Sequence, residues 1–236
     1  MKVKYVSVFL VLVLVFSGCS DDDDKDYSPP VIEDNFDVSL HNWVVDFADY
    51  PTQEGDSLLY DLKHGQEFLP EPLDQTKKAL MISGINHSDD LFMFMKKKIT
   101  GLKPGTTYEA TFDIEFASNA PSESFGVGGA PGESVTLGIG LTKEEPVKVK
   151  DQEEGYYRMN IKKIQQSQDG EEMKIIGNVG NGSDESVYKM VKHNGTFKAA
   201  SDDKGEIWVI IGTDSGFEYR TTLYYTKIGI TFAEVK

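Results

Sequence analysis

Apolar and polar residues alternate with a period of two along several segments of the chain. In residues 108–116, one face of an extended strand would carry only apolar side chains, those of Tyr108, Ala110, Phe112, Ile114 and Phe116. The same alternation appears in residues 135–141, where the odd-numbered positions share the predicted core face. It appears again in residues 224–232, where the even-numbered positions do. It predicts antiparallel strands with one face in a core and one in water. Residues 207–211 are apolar on both faces and predict a central, buried strand.

No long window has the apolar spacing of an amphipathic helix. Eight further segments have the composition of short strands: residues 43–48, 58–63, 78–85, 91–98, 157–162, 173–179, 187–193 and 197–201. The Asn194-Gly195 pair predicts a type I′ hairpin turn between the last two of them. Many short strands separated by Gly, Pro and Asn turns predict an all-β fold, an antiparallel β-sandwich or jelly roll.

Two segments are similar to parts of known sandwich domains. Residues 101–108, Gly-Leu-Lys-Pro-Gly-Thr-Thr-Tyr, resemble the turn before a core strand in fibronectin-like and carbohydrate-module sandwiches. That resemblance implies a tyrosine corner, in which the Tyr108 hydroxyl bonds back to the backbone of the turn. Residues 223–232, Leu-Tyr-Tyr-Thr-Lys-Ile-Gly-Ile-Thr-Phe, resemble the last strand of galactose-binding-like jelly rolls, the fold of many carbohydrate-binding modules.

The N-terminus has the order of features found in a lipoprotein leader. Lys2 and Lys4 precede an apolar run over residues 6–16, and Ser17-Gly18 precede Cys19, the only cysteine of the chain. This resembles the lipobox of bacterial lipoproteins, and the acidic run that follows resembles their export signal to the outer leaflet of the outer membrane. The resemblance implies a signal peptide over residues 1–18, a lipidated Cys19 and a cell-surface location.

The rest of the chain divides into a tether and one domain. Residues 19–34 are acidic and contain Pro29-Pro30, a composition that predicts a disordered tether. Residues 35–236 show no internal repeat and fit a single β-sandwich domain. Segments 43–51, 82–94 and 210–218 resemble a group of uncharacterised bacterial lipoproteins, a likeness that names no activity.

Charge and cysteine content exclude several classes of function. The formal net charge is −15 at pH 7. Removing residues 1–18 would make the chain more negative still, because that segment carries Lys2 and Lys4 and no acidic residue. Such a field repels nucleic acid and anionic lipid, so we expect no nucleic-acid partner and membrane contact through the lipid anchor alone. A single cysteine leaves no intrachain disulfide, so the fold has to rest on its core.

One polar loop is a candidate metal site. Asn86, Asp89 and Asp90 lie between two apolar segments, and their oxygen atoms suit calcium, which takes 6 to 8 oxygen ligands. Asp46 and Asp49 would complete the site if the two segments meet. The alternative is that the loop residues make side-chain turns to the backbone, as Asn and Asp most often do.

Binding of a sugar needs an aromatic platform and polar partners. The aromatic candidates are Trp43, Tyr50, Tyr156 and Tyr157, and the loop after the buried strand adds Asp214, Phe217, Glu218 and Arg220. The alternative for that loop is a tight turn in which Arg220 pairs with Glu218. The glycine-rich residues 126–132 predict a bend between strands.

These features together predict a surface lipoprotein whose sandwich domain binds a glycan or another extracellular ligand without catalysis. Two alternatives stay open: a structural or accessory subunit that contacts envelope proteins of an outer-membrane complex, and a calcium-dependent hydrolase. No catalytic residue can be singled out, and calcium is the only cofactor with candidate ligands.

Overall fold

The protein folds as two antiparallel sheets packed face to face. The computed structural model describes residues 27–88 and 90–236. The strands are β1 (Ile32–Asn35), β2 (Val44–Ala48), β3 (Tyr50–Pro51), β4 (Lys63–Phe68), β5 (Lys78–Ile85), β6 (Phe92–Ile99), β7 (Thr107–Ser118), β8 (Val135–Thr142), β9 (Lys148–Asp151), β10 (Tyr156–Met159), β11 (Met173–Asn178), β12 (Lys189–Ala200), β13 (Ile207–Ser215) and β14 (Arg220–Glu234). One helical turn, α1 (Glu54–Ser57), continues into a 3₁₀ turn over Leu58–Tyr60.

The two main sheets contain six and five strands. The larger has the order β12-β7-β14-β5-β4. Strand β1 also belongs to it and pairs with the second half of β14, beyond the residues of β14 that pair with β5. The smaller has the order β11-β8-β13-β6-β2, and a third, small sheet has the order β3-β10-β9. The predicted all-β, antiparallel sandwich is therefore confirmed. Among residues 27–88 and 90–236, no helix is long and apolar enough to cross a membrane.

The core lies between the sheets and follows the alternation of the strands. In β7 the residues at 108, 110, 112, 114 and 116 are all buried, as predicted. The backbone N–H of Lys103 donates to the Tyr108 hydroxyl at 2.9 Å, which confirms the tyrosine corner. This bond joins the start of β7 to the turn before it and fixes the entry of the strand into the core.

Strand β13 is central, as its two-sided apolar pattern predicts. Val209 and Ile211 face the main core, whereas Ile210 belongs to a second cluster with Phe92 and Phe94 on the outer face of the five-stranded sheet. The segment after β10 covers that outer face and buries Ile164 there. Trp208 is the exception, being half-buried with the ammonium groups of two lysines within 6 Å of its ring: Lys96 at 5.7 Å and Lys98 at 5.8 Å.

In β14 the predicted even-numbered core face is correct only for the second half. A bulge between Tyr225 and Lys227 shifts the register against β7, so Thr226 is an extra residue. Before the bulge, Leu223 and Tyr225 face the core; after it, the even-numbered residues do. An inserted residue moves all following side chains to the opposite face, because the side-chain period of a strand is two.

The predicted hairpin at Asn194-Gly195 is wrong. Both residues lie inside β12, which pairs with β7 without interruption from Lys189 to Ala200. Neither residue has a positive φ, which a type I′ turn would require. A Cβ at Gly195 would lie 2.3 Å from Cγ2 of Ile176, so the glycine allows β12 to pass close to β11.

Two boundaries also differ from the predictions. Residues 58–60 form a 3₁₀ turn that Asp61 ends with a φ of 43°, and the strand begins only at Lys63. Ile32–Asn35 pairs with β14, so the ordered sandwich begins before the predicted boundary at residue 35. The predicted signal peptide, Cys19 and the first half of the predicted tether lie outside the described residues.

Candidate functional site

A cleft of about 380 Å³ opens at one end of the sandwich. It lies where β7 ends, where β8, β12 and β14 begin, and where β13 turns into β14. Its main lining residues are Ser118, Pro131, Tyr188, Phe217, Tyr219 and Arg220. We call it the end cleft. Its lining is mostly apolar with a few polar groups, which is the usual character of a small-molecule site.

Three aromatic rings line the end cleft. The rings of Phe217 and Tyr219 lie 6.3 Å apart at 61°, and 67% of Tyr219 is exposed. The ring of Tyr188 meets that of Tyr224 edge-on at 5.4 Å. Burial, with the nearby Tyr224, raises the pKa of Tyr188 to about 12. Its hydroxyl, which hydrogen-bonds with that of Tyr224, is protonated at neutral pH and has both donor and acceptor capacity.

Arg220 supplies the charged group of the end cleft. Its guanidinium Nη2 donates to Asp61 at 2.7 Å, and its Nη1 lies 3.4 Å from the Ser83 hydroxyl. The pairing of Arg220 with Glu218, the alternative for this loop, is thus replaced by a pairing with Asp61. Glu218 is exposed, and its backbone N–H donates to the carbonyl of Val127 at 2.9 Å.

Asn86 holds the β13–β14 loop in place. Its buried amide Nδ2 donates to the carbonyls of Ser215 at 2.7 Å and Phe217 at 3.1 Å. Its Oδ1 accepts backbone N–H groups from Ser88 at 3.1 Å and Leu91 at 3.3 Å. The residue makes the side-chain-to-backbone turn that was the alternative to calcium binding, and it positions Phe217 for the end cleft.

A cluster of charged side chains surrounds Asp214, the last residue but one of β13. Lys163 forms ion pairs with Asp214 and, at 3.1 Å, with Asp49. Arg158 binds Asp49 at 2.9 Å and Asp90 at 3.3 Å. Burial raises the pKa of Asp214 to about 6, against the opposing effect of Lys163. Burial opposes the charge of Lys163 as well, but the Asp214 and Asp49 carboxylates outweigh it and raise the pKa of Lys163.

Basic side chains neutralise the described carboxylates of the predicted calcium site. Asp46 binds Lys148 at 2.8 Å, while Asp49 and Asp90 share Arg158. In residues 27–88 and 90–236, no group of three or more His, Cys, Asp or Glu side chains is arranged to hold a metal ion. Asp89 lies outside the described residues. Calcium binding stays a prediction.

Three of the predicted ligand contacts are wrong because their side chains are buried. Trp43 donates its Nε1–H to Asp34 at 2.8 Å inside the core. Tyr50 lies under Tyr157, with ring centroids 5.0 Å apart, and its hydroxyl accepts from Lys148 at 2.9 Å. Asp214 is fully buried against Lys163. Burial leaves at most 7% of each of these three residues exposed to a ligand.

The remaining predicted contacts separate into two places. Phe217 and Arg220 line the end cleft, with Glu218 between them in sequence. Tyr156 and Tyr157 lie in the small sheet and are half-buried, with Arg158 stacked on the Tyr156 ring at 4.9 Å. The structure therefore does not unite all the predicted aromatics in one site.

Sequence reasoning missed Tyr188 and Tyr219, the other two rings of the end cleft. Tyr219 lies between Glu218 and Arg220, which were both predicted to contact a ligand, and this position in the loop could have identified it from the sequence. Tyr188 lies just before β12, and only the packing of that strand beside β7 brings it to the cleft. No local pattern marks it.

Comparison with known proteins gives no family for this chain. No protein-family model matches the sequence, and no curated protein matches it. Among solved structures, TmCBM61 in complex with beta-1,4-galactotriose matches with a TM-score of 0.37 and 9% identity, over 84% of this chain and 94% of its own. A putative sugar binding protein from Bacteroides thetaiotaomicron matches with a TM-score of 0.38 and 9% identity, over 84% and 92%.

A multidomain enzyme is also similar over part of its length. The CBM22-1–GH10 modules of Clostridium thermocellum xylanase 10B, complexed with xylohexaose, match with a TM-score of 0.37 and 13% identity. The match covers 86% of this chain and 28% of the xylanase chain. At such TM-scores and identities, these likenesses carry no argument about the ligand of this chain.

Proposed function

We propose that this protein is a surface-displayed binding protein whose end cleft takes a carbohydrate. The observation that carries the proposal is the grouping of Phe217, Tyr219 and Tyr188 with Arg220 in one open cleft. Sugar rings present apolar C–H faces that pack on aromatic rings, and their hydroxyls need donors and acceptors at the rim. The end cleft offers both kinds of group.

The direction of the strands supports display away from a membrane. β14 begins at Arg220, beside the end cleft, and Ile32 at the start of β1 pairs with Ile230 near its other end. Ten residues of strand separate the two points, or about 33 Å. The chain therefore enters the sandwich from the end opposite the cleft. If Cys19 is lipidated, as the leader predicts, the cleft faces away from the lipid.

The experiment is a glycan array followed by calorimetry with the glycans that bind. Tyr219→Ala removes the most exposed ring of the cleft, and we expect it to weaken binding about tenfold, which corresponds to about 1.4 kcal/mol. Tyr219→Phe keeps the ring and should bind within about threefold of wild type, because only one hydroxyl is lost.

Phe68→Ala is the matched control. Phe68 is 56% exposed on the edge strand β4 and pairs with Lys78, at the end of β5 away from the cleft. Its removal should leave binding unchanged. The proposal fails if wild type binds no glycan, or if the Tyr219→Ala and Phe68→Ala proteins bind equally well. Running the array with calcium and with a chelator tests the calcium prediction in the same samples.

A further inference from the structure

A second exposed aromatic ring stands next to the end cleft. Phe125, in the connection between β7 and β8, is fully exposed, and Val127 two residues later is 69% exposed. A large apolar ring held entirely in water gains nothing from the hydrophobic effect in the isolated protein. Single exposed apolar residues are common, so the position of Phe125 relative to the cleft decides whether it has a role.

The backbone beside Phe125 packs directly on the loop that carries the cleft rings. A Cβ at Gly126 would lie 2.5 Å from the ring of Phe217, so only glycine allows this contact. A Cβ at Gly128, where φ is +73°, would lie 2.3 Å from the carbonyl oxygen of Gly216. A hydrogen bond from the Glu218 N–H to the Val127 carbonyl also joins the two segments.

These contacts place Phe125 within one residue of the wall of the end cleft. Consecutive Cα atoms are about 3.8 Å apart, so the Phe125 ring begins one such step from the glycine that touches Phe217. Residues 126–128 of the β7–β8 connection pack against the β13–β14 loop, whereas the ring of Phe125 is fully exposed.

We propose that Phe125 is a second stacking platform, and that the ligand is therefore a chain of at least three sugar units rather than a mono- or disaccharide. This inference rests on the proposed function of the end cleft. One or two units occupy the cleft against Phe217 and Tyr219, and the next unit leaves the cleft and packs on Phe125. The ring thus determines the preferred length of the ligand, not its capture in the cleft.

The test measures affinity against chain length by calorimetry. The probes are size-graded oligosaccharides of two to six units from each series that binds on the array, with β-1,4-linked galacto- and xylo-oligosaccharides included in every case. For wild type we expect the affinity to rise at least tenfold between the two-unit and four-unit ligands. For Phe125→Ala we expect the two-unit affinity to be unchanged and the rise to shrink to about twofold or less.

Two further variants separate a stacking role from a structural one. Phe125→Trp keeps a platform and places a fluorophore there, so its emission should shift with ligands of three or more units and not with the two-unit ligand. Phe68→Ala, which removes an exposed ring elsewhere, should keep the wild-type dependence on length. Equal melting temperatures of wild type and Phe125→Ala would show that the sandwich is intact.

The outcomes distinguish this inference from the proposed function. If Tyr219→Ala weakens binding but Phe125→Ala keeps the full rise with length, the cleft binds sugar and the platform is wrong. Absence of any glycan binding by wild type would remove both proposals.

Discussion

Asp214 and Lys163 form a buried ion pair whose geometry joins two distant parts of the chain. Asp214 is the last residue but one of the central strand β13, and its Oδ1 accepts the backbone N–H of Gln166 at 2.8 Å. Lys163 lies in the segment that covers the outer face of the sheet. The Lys163 ammonium also lies over the Phe92 ring at 4.9 Å. Removing one partner of such a pair leaves an uncompensated charge in a medium that solvates it poorly.

We predict that Lys163→Met destabilises the protein by about 3–5 kcal/mol at pH 8. The loss should be smaller at pH 5. The folded pKa of Asp214 is already above the unfolded value, and loss of the lysine raises it further, so the folded state binds the extra proton as pH falls. Stability then decreases as pH rises from about 4 through the folded pKa.

Urea denaturation at both pH values measures this difference, and the double variant Lys163→Met/Asp214→Asn is its control. The amide cannot ionise, so the double variant should recover most of the stability at pH 8. Equal losses for Lys163→Met at pH 5 and pH 8 would show that the charge of Asp214 is not the cause.

Strand β12 shows how a local turn signal can be overridden by packing. Asn-Gly favours a type I′ turn when the flanking strands can pair with each other. Here both halves of β12 pair with β7, and Gly195 is required because Ile176 of β11 lies against it. The many backbone bonds to β7 outweigh the preference of two residues.

The strand and the turn give opposite predictions for a substitution of Asn194, whereas Gly195→Val is expected to destabilise either structure. Asn194 is exposed in β12, so Asn194→Thr should change stability by no more than about 0.5 kcal/mol, because threonine suits a strand. Gly195→Val should cost about 1–3 kcal/mol, since its side chain would overlap Ile176. Equilibrium denaturation of each protein measures both values. A large loss for Asn194→Thr would favour the turn, in which threonine would need a positive φ.

In the molecule as a whole, the end cleft and the start of β1 lie at opposite ends of the sandwich. This arrangement follows from antiparallel pairing alone: β1 runs toward the cleft along β14, so the residues before it come from the far end. Lys103 and the turn at Gly105 belong to the far end, whereas Glu185 lies next to the cleft-lining Ser186.

We predict that the end cleft is held away from the membrane. A fluorophore on Lys103→Cys should transfer energy to acceptor lipids more efficiently than one on Glu185→Cys, because the two ends differ by about 33 Å. Cys19 is the only native cysteine, so each new thiol is a unique label once Cys19 is lipidated. Energy transfer in vesicles carrying the lipoprotein measures the difference.

Cys19→Ala is the control for this experiment. It should incorporate no palmitate analogue and remain off the vesicles, so both labels should show no transfer. Equal transfer from the two labels in the lipidated protein would contradict the orientation, and equal palmitate labelling of wild type and Cys19→Ala would contradict the anchor.

The sequence by itself determined the alternating strands β7 and β8 and the central position of β13, and the resemblance of residues 101–108 to a known sandwich turn implied the tyrosine corner at Tyr108. These depend on side-chain periodicity and on contacts between residues close in the chain, which a single sequence displays. It also pointed to Phe217 and Arg220, because a polar loop after a buried strand has to lie at an end of a sheet.

Only the tertiary structure decided which groups are free to bind. Trp43 and Tyr50 are buried by strands far away in sequence, Asp214 is taken by Lys163, and Tyr188 reaches the end cleft through the pairing of β12 with β7. The exposure of a side chain depends on what covers it. That cover comes from residues tens of positions away, and no local pattern records it.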